Sequence, residues 1–293
     1  MEAMLLSRQV AAGSFAIPRS RPSPFPAAGV LSLNLQNRHW RLPQCRHQCL
    51  SICASTTILA STTAPSPCPS PSQVTLEVWQ DADAVCFDVD STVCVDEGID
   101  ALGEFCGAGE AVAAWTSRAM GGSVPFEEAL SARLSIFKPS LKDTETFIAS
   151  NPPKISPGIE DLIKKLHSKG KTVYLISGGF RQMIAPVAKI LNIPEENIFA
   201  NRLLFDKNGD FAGFDTNEPT SKSGGKATAI AHLKQKFGYK KLVMIGDGAT
   251  DLEARQPGGA DIFICYGGVQ FRAPVAAQAD WCVLNFKDLI ESL

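Results

Sequence analysis

Ala84-Val85-Cys86-Phe87 runs directly into Asp88-Val89-Asp90-Ser91-Thr92, an apolar segment of strand length that ends on two carboxylates two positions apart. Alternation along an extended chain aims both carboxylates to one side. Two such groups at a strand end can bind a hard cation, and one can attack phosphorus while the other handles the leaving group's proton. Taken alone, the pair also suits an ordinary strand-end turn, where Asp is common.

Outward from this stretch, apolar runs alternate with helical patterns, the rhythm of an α/β domain with crossover helices. Strands are predicted over Ala84 to Val89, Thr172 to Ile176, Ile198 to Phe205 with a hairpin turn at Lys207 to Asp210, Lys241 to Ile245, Asp261 to Cys265 and Trp281 to Leu284. Several of them end on polar or glycine-rich clusters, and in open α/β sheets ligands bind beyond the carboxyl ends of the strands. Between the first two strands, residues 109–150 read as amphipathic helices over Glu110 to Met120, Pro125 to Phe137 and Leu141 to Ala149, with Pro125 in a first-turn position. This insertion is expected to form a small helical cap over the first strand's end, with residues 80–108 and 151–293 forming the sheet domain.

Residues 1–72 differ in kind: rich in Ser, Thr, Pro and Ala, with six Arg, no Lys and Glu2 as the single acid. That composition predicts an organellar transit peptide outside the fold, chloroplast (plastid stroma) before mitochondrion. Removing it takes the formal charge from −2 to −7, which argues against a nucleic-acid partner. No apolar run reaches the roughly 18 residues of a membrane span. Cys45, Cys49, Cys53 and Cys68 are expected to leave with the presequence, and Cys86, Cys94, Cys106, Cys265 and Cys282 to remain free thiols without a disulfide framework.

Three further clusters follow predicted strands. Ser177-Gly178-Gly179 leads into a helix, where backbone N–H groups can hold an anion, although a plain strand-to-helix turn looks similar. Ser223-Gly224-Gly225-Lys226-Ala227 tempts a phosphate-loop reading and fails it, since Thr220 stands where the first glycine belongs and Ala227 follows the Lys. Gly246-Asp247-Gly248-Ala249-Thr250-Asp251 sets two carboxylates one helical turn apart. His167 and His232 lie in predicted helices away from every cluster.

In this order, DVDST, SGG, an isolated Lys and GDGATD resemble the four signature motifs of the haloacid dehalogenase superfamily. The resemblance is nearest to its branch acting on O-phospho-L-serine, through Glu97 soon after the first motif, Met120-Gly121-Gly122-Ser123-Val124-Pro125-Phe126, and Arg133. It implies a Rossmann-like parallel sheet with a helical cap, a Mg2+ cofactor, and hydrolysis of O-phospho-L-serine to serine and phosphate as the last step of serine biosynthesis. A homodimer is the assembly considered.

By the same resemblance, Asp88 is the nucleophile that becomes an aspartyl phosphate, and Asp90 is the general acid and then base. Mg2+ is held by the Asp88 and Asp247 carboxylates and the Asp90 backbone carbonyl, with Asp251 orienting a metal-bound water. Ser177, the Gly178 and Gly179 amides and Lys226 neutralise the phosphoryl oxygens. Glu97 pairs with the substrate ammonium and Arg133 with its carboxylate, Met120, Gly121 and Phe126 close over it, and Thr250 reaches it through water or backbone. The alternatives are a phosphatase of the same superfamily for another small phosphate ester, and a binding module that kept the fold without catalysis.

Overall fold

The computed structural model describes residues 68–120 and 124–293, with the side chains of 119 and 120 outside the description. The strands are β1 Ala84–Phe87, β2 Thr172–Phe180, β3 Ile198–Asn201, β4 Leu203–Phe205, β5 Phe211–Phe214, β6 Leu242–Gly246, β7 Ile262–Tyr266 and β8 Trp281–Val283. The helices are α1 Gln73–Gln80, α2 Gly98–Phe105, α3 Gly109–Met120, α4 Phe126–Phe137, α5 Leu141–Ser150, α6 Ile159–Ser168, α7 Arg181–Ile190, α8 Gly225–Phe237, α9 Ala249–Glu253, α10 Ala273–Ala276 and α11 Lys287–Glu291. Six strands form one parallel sheet in the order β3-β2-β1-β6-β7-β8, while β4 and β5 pair antiparallel as a separate hairpin.

The period of two along each strand sorts the apolar side chains onto two faces. Val85, Phe87, Leu175, Val243, Ile245 and Ile264 join one cluster, and Ala84, Cys86, Ile176, Met244, Phe263 and Cys265 the other. Helix α6 covers the first face through Ile159, Leu162, Ile163 and Leu166, a spacing that puts all four on one stripe, and α8 covers the second through Ala229, Ile230 and Leu233. Burying each Val, Leu, Ile, Met or Phe among them stabilises the fold by about 1.5–3 kcal/mol before chain entropy is subtracted.

This strand order places the site. From central β1 the chain builds β2 and β3 on one side and then crosses to β6, β7 and β8 on the other, so the winding reverses between β1 and β6. A crevice opens at such a reversal, beyond the carboxyl ends of the two strands. The register Phe87↔Ile245 brings Asp88 and Asp247 to its two sides.

Several expected boundaries move. The first strand stops at Phe87, because the Val89 carbonyl is taken by the Cys94 N–H, 2.8 Å away, in a single wide turn over Val89–Val93. The second strand continues through Ser177-Gly178-Gly179 to Phe180, its register with β3 shifting between Ser177 and Phe180. The expected Ile198 to Phe205 strand divides after Asn201, and the turn foreseen at Lys207 to Asp210 closes the β4–β5 hairpin with Gly209 at φ 85°. Pro125 takes the cap position of α4 rather than its first turn.

The expected helices are present as α3, α4 and α5. They do not have a core of their own: Leu130, Leu134 and Phe147 share one apolar cluster with Ile99 and Leu102 of α2, Phe180 of β2 and Leu203 of the hairpin.

Two features lie ahead of the expected start of the fold. Helix α1, absent from the sequence reading, is capped by Ser72, whose Oγ accepts the Thr75 N–H at 3.1 Å. It buries Trp79 completely, with the indole N–H donating to Leu289 O and Ser292 Oγ near the carboxyl terminus. The expectation that Cys282 stays a free thiol is overturned, since it forms a disulfide across 214 residues of sequence with Cys68, which was expected to leave with the presequence. The Cys282 N–H donates to Pro69 O at 2.9 Å, so residues 68–72 run beside edge strand β8 and carry Cys68 to it. Cys86, Cys94, Cys106 and Cys265 are free as expected, while Cys45, Cys49 and Cys53 lie outside the described residues.

Trp79→Ala is expected to lower stability by about 3–5 kcal/mol, the usual cost of truncating a buried aromatic, measured as a shift of the urea midpoint. An unchanged midpoint would show that α1 is not integral to the fold.

Candidate active site

The Asp88 N–H donates to Ile245 O at 2.9 Å, extending the β1–β6 ladder by one residue and fixing where its carboxylate emerges. Asp88 Oδ1 accepts the Val89 N–H at 2.7 Å and pairs with Lys226 Nζ at 2.9 Å. The wide turn that follows holds Ser91 at φ 55°, a left-handed conformation that costs a non-glycine residue roughly 1–3 kcal/mol. In that conformation Ser91 Oγ donates to Glu97 Oε1 at 2.8 Å, and Asp90 Oδ1 accepts the Gly98 N–H at 2.8 Å. Burial, together with the nearby Glu97 and Asp88 carboxylates, pushes the Asp90 carboxyl up to about 7. Asp90 is thereby suited to both giving and taking a proton near neutral pH.

The second side of the crevice comes from β6. Asp247 receives the Thr92 hydroxyl at 3.3 Å on Oδ1 and is ion-paired to Arg272 through Oδ2. Asp251, in the first turn of α9, is fully buried, with Oδ1 taking Lys226 Nζ at 2.6 Å and Oδ2 the Gly248 N–H at 3.0 Å. Glycine at 246 permits this, since a Cβ there would lie 2.2 Å from the Asp251 carboxylate. Lys226 therefore stands between two carboxylates. Although burial works against its charge, Asp251 and Asp88 outweigh that and raise its pKa. The glycine before it serves packing rather than a nucleotide loop, because a Cβ at Gly225 would sit 2.0 Å from Pro219 O.

The third wall is the bulged end of β2. Asn201, fully buried on β3, donates to Gly178 O at 2.8 Å and accepts the Thr220 hydroxyl at 3.2 Å, which fixes the bulge. The Gly179 N–H donates to Ser177 Oγ at 2.9 Å, and a Cβ at Gly179 would fall 2.9 Å from Asp90 Oδ2. The Phe126 ring from α4 lies on Gly178, where a Cβ would meet it at 2.7 Å.

Asp88, Asp90, Glu97, Phe126, Arg133, Gly178, Gly179, Lys226, Asp247 and Thr250 line one cleft between the sheet and the helices, with Ser177 and Asp251 fully buried beneath it. Gly121 lies outside the described residues, as does the side chain of Met120, the last residue of α3. Arg133 is buried, its Nη1 donating to Thr116 Oγ1 at 3.2 Å, and that hydroxyl donates to Asp100 Oδ1 at 2.7 Å. Burial raises the Glu97 carboxyl and lowers the Arg133 guanidinium, the latter opposed by Asp100, Glu97 and Asp90. His167 and His232 are exposed on α6 and α8.

Sequence reading missed Arg272, just before α10, which also approaches Glu97 at 3.9 Å, and it missed Thr116 and Asp100 behind Arg133. Each acts through contacts between separate elements, and none belongs to a motif that could have flagged it.

Carboxylate oxygens of Asp88, Asp247 and Asp251 lie within 4.8 Å of one another. An all-oxygen donor set of this kind fits a hard divalent cation. Asp88 and Asp247 line the cleft whereas Asp251 is fully buried beneath it, so Asp88 and Asp247 are the better placed ligands.

Residues 82–259 match the model of the haloacid dehalogenase-like hydrolase family. The chain belongs to that family. It is 67% identical over 223 residues to the chloroplastic phosphoserine phosphatase of Arabidopsis thaliana, covering 76% of each chain. It is 50% identical over 217 residues to the Homo sapiens phosphoserine phosphatase, covering 74% of this chain and 96% of that one. A solved structure described as a phospho-aspartyl intermediate analogue of phosphoserine phosphatase superposes with a TM-score of 0.62 at 26% identity, over 72% of this chain and 98% of that one. Family hydrolases generally use a divalent metal, in keeping with the carboxylate cluster.

Gly246→Ala is expected to displace Asp251, break its pairing with Lys226 and cost about 1–3 kcal/mol through overpacking. Thermal unfolding and phosphatase turnover should both fall, and wild-type values for both would overturn the packing argument.

Proposed function

We propose that the chain is a phosphoserine phosphatase, hydrolysing O-phospho-L-serine to serine and phosphate through an aspartyl phosphate on Asp88. The observation that carries this reading is one cleft with Asp88, Asp90 and Lys226 at its floor and Glu97 and Arg133 in its walls. A zwitterionic amino acid needs one acid and one base beyond the phosphate site, whereas a sugar phosphate needs neither. The names of the relatives agree with this choice.

In this reading Asp88 Oδ1 is held by the Val89 N–H and Lys226, and Oδ2 attacks the phosphorus. Asp90, with its raised pKa, gives its proton to the departing seryl oxygen; the resulting carboxylate then takes a proton from the water that cleaves the aspartyl phosphate. Lys226 and the Gly178 and Gly179 amides offset the charge of the phosphoryl oxygens, the Gly179 N–H exchanging Ser177 Oγ for a substrate oxygen. Arg133 is set to clasp the substrate carboxylate with a planar fork, Glu97 to hold the ammonium, Phe126 to exclude water, and Thr250 to meet the substrate from α9. Met120 and Gly121 complete the closure.

Mg2+ is the proposed metal, held by the Asp88 and Asp247 carboxylates and the Asp90 carbonyl, with Asp251 behind them; when bound it supplies charge neutralisation at the phosphoryl group. Residues 109–150 serve as the cap, and the amino-terminal residues as a chloroplast transit peptide, a reading supported by their composition and by the chloroplastic relative.

The test is phosphate release by protein that retains Cys68 and Ser72, on O-phosphoserine, sugar phosphates and pyridoxal phosphate, with and without Mg2+. Strong preference for O-phosphoserine is expected, with activity lost on chelation and on Asp88→Asn. Turnover of another ester in its place would overturn the roles of Glu97 and Arg133. Within the same assay, Arg133→Lys should weaken substrate capture by about 10-fold or more, since a point charge cannot replace a bidentate fork.

A further inference from the structure

We propose that Ser223 and Glu127 form a latch between the core and the helical insertion that sets closure over the cleft, which makes both positioning residues for the reaction. Helix α4 begins at Phe126 with Pro125 in the cap position, and no side chain of its own caps it. The cap comes from the other side of the cleft: Ser223 Oγ accepts the Phe126 N–H at 3.3 Å. In return, the Ser223 N–H and hydroxyl donate to Glu127 Oε2 at 3.1 and 3.0 Å. This is the reciprocal pattern of a capping box, divided between two parts of the chain that come together only when the insertion lies against the core.

The position of the latch links it to the chemistry. Ser223 stands three residues before Lys226, whose Nζ pairs with Asp88, and its partner Phe126 rests its ring on Gly178. Arg133 follows two turns along the same helix. Forming the latch therefore seats Phe126 and Arg133 over the floor, and breaking it leaves the first turn of α4 without a cap.

Ser223 and Glu127 are both exposed, so water competes for every bond, and the contact can open and close rather than weld the two parts together. The helix amino terminus favours the Glu127 carboxylate, which its own N–H and the N–H and hydroxyl of Ser223 hold below the usual range. A second tie, Leu141 N–H to Gly209 O at 2.9 Å, joins α5 to the hairpin tip and does not touch the cleft.

The kinetic arm of the test rests on the phosphatase reading, while the exchange arm does not. In the full chain, Ser223→Ala, Glu127→Gln and the double variant are compared with wild type by amide exchange over residues 124–130 and by kcat and KM on O-phosphoserine. Loss of a cap predicts exchange about fivefold faster in each single variant, KM raised by about the same factor, kcat within about twofold, an unchanged melting temperature, and no further change in the double. Wild-type exchange in Ser223→Ala, or single effects that multiply in the double, would overturn the latch. If the wild type ignores O-phosphoserine, the substrate reading fails on its own, and amide exchange still decides the latch.

Discussion

Lys226 lies buried between Asp88 and Asp251, 2.9 and 2.6 Å from their carboxylates, and the arrangement of the site depends on that cation. The reversal of strand order between β1 and β6 gathers Asp88, Asp90, Asp247 and Asp251 into one crevice, where Asp88, Asp247 and Asp251 have little access to water. Uncompensated carboxylates in such a place repel one another and lose hydration, costs that far exceed any single packing gain. Lys226 neutralises two of them. Arg272 offsets Asp247, and Asp90, held by the Gly98 N–H, answers with a raised pKa instead of a paired cation. The remaining excess of negative charge, all on oxygen, is what a hard divalent cation would offset.

Close backbone packing makes this arrangement possible. Gly246 admits the Asp251 carboxylate, Gly225 admits Pro219 O, Gly179 admits Asp90 and Gly178 admits the Phe126 ring, each at a separation a Cβ would forbid. Glycines that resemble phosphate loops in the sequence thus let neighbouring chain segments approach. Asn201 then fixes the bulge from behind, so the floor of the site is built of groups with little freedom to move.

Above the floor, the insertion shares its apolar cluster with α2, β2 and the β4–β5 hairpin. Its side toward the cleft is held by polar contacts with exposed groups, weaker than the buried cluster behind it. That division suits a part that must exclude water during reaction and still release product.

Much of this was legible because local patterns carried it. Alternation placed the strands, helical spacing placed α3 to α5, and DVDST and GDGATD set Asp88, Asp90 and Asp247 just beyond strand ends, where the structure has them, while Gly178 and Gly179 lie within the longer β2 and Asp251 in α9. Contacts without a local pattern were not legible. Trp79 against the carboxyl-terminal segment, Cys68 with Cys282, Arg272 with Asp247, Thr116 behind Arg133 and Ser223 with Glu127 each join residues distant in the chain. Boundaries moved for the same reason: β2 runs on through its glycines because β3 pairs beyond the bulge. By itself, then, the sequence determined the parallel α/β architecture and the chemical kinds gathered at the site, since periodicity and residue type are local properties. Only the tertiary structure decided which charges neutralise which, where the fold begins and how the helices meet the floor, because those depend on distances that no spacing along the chain encodes.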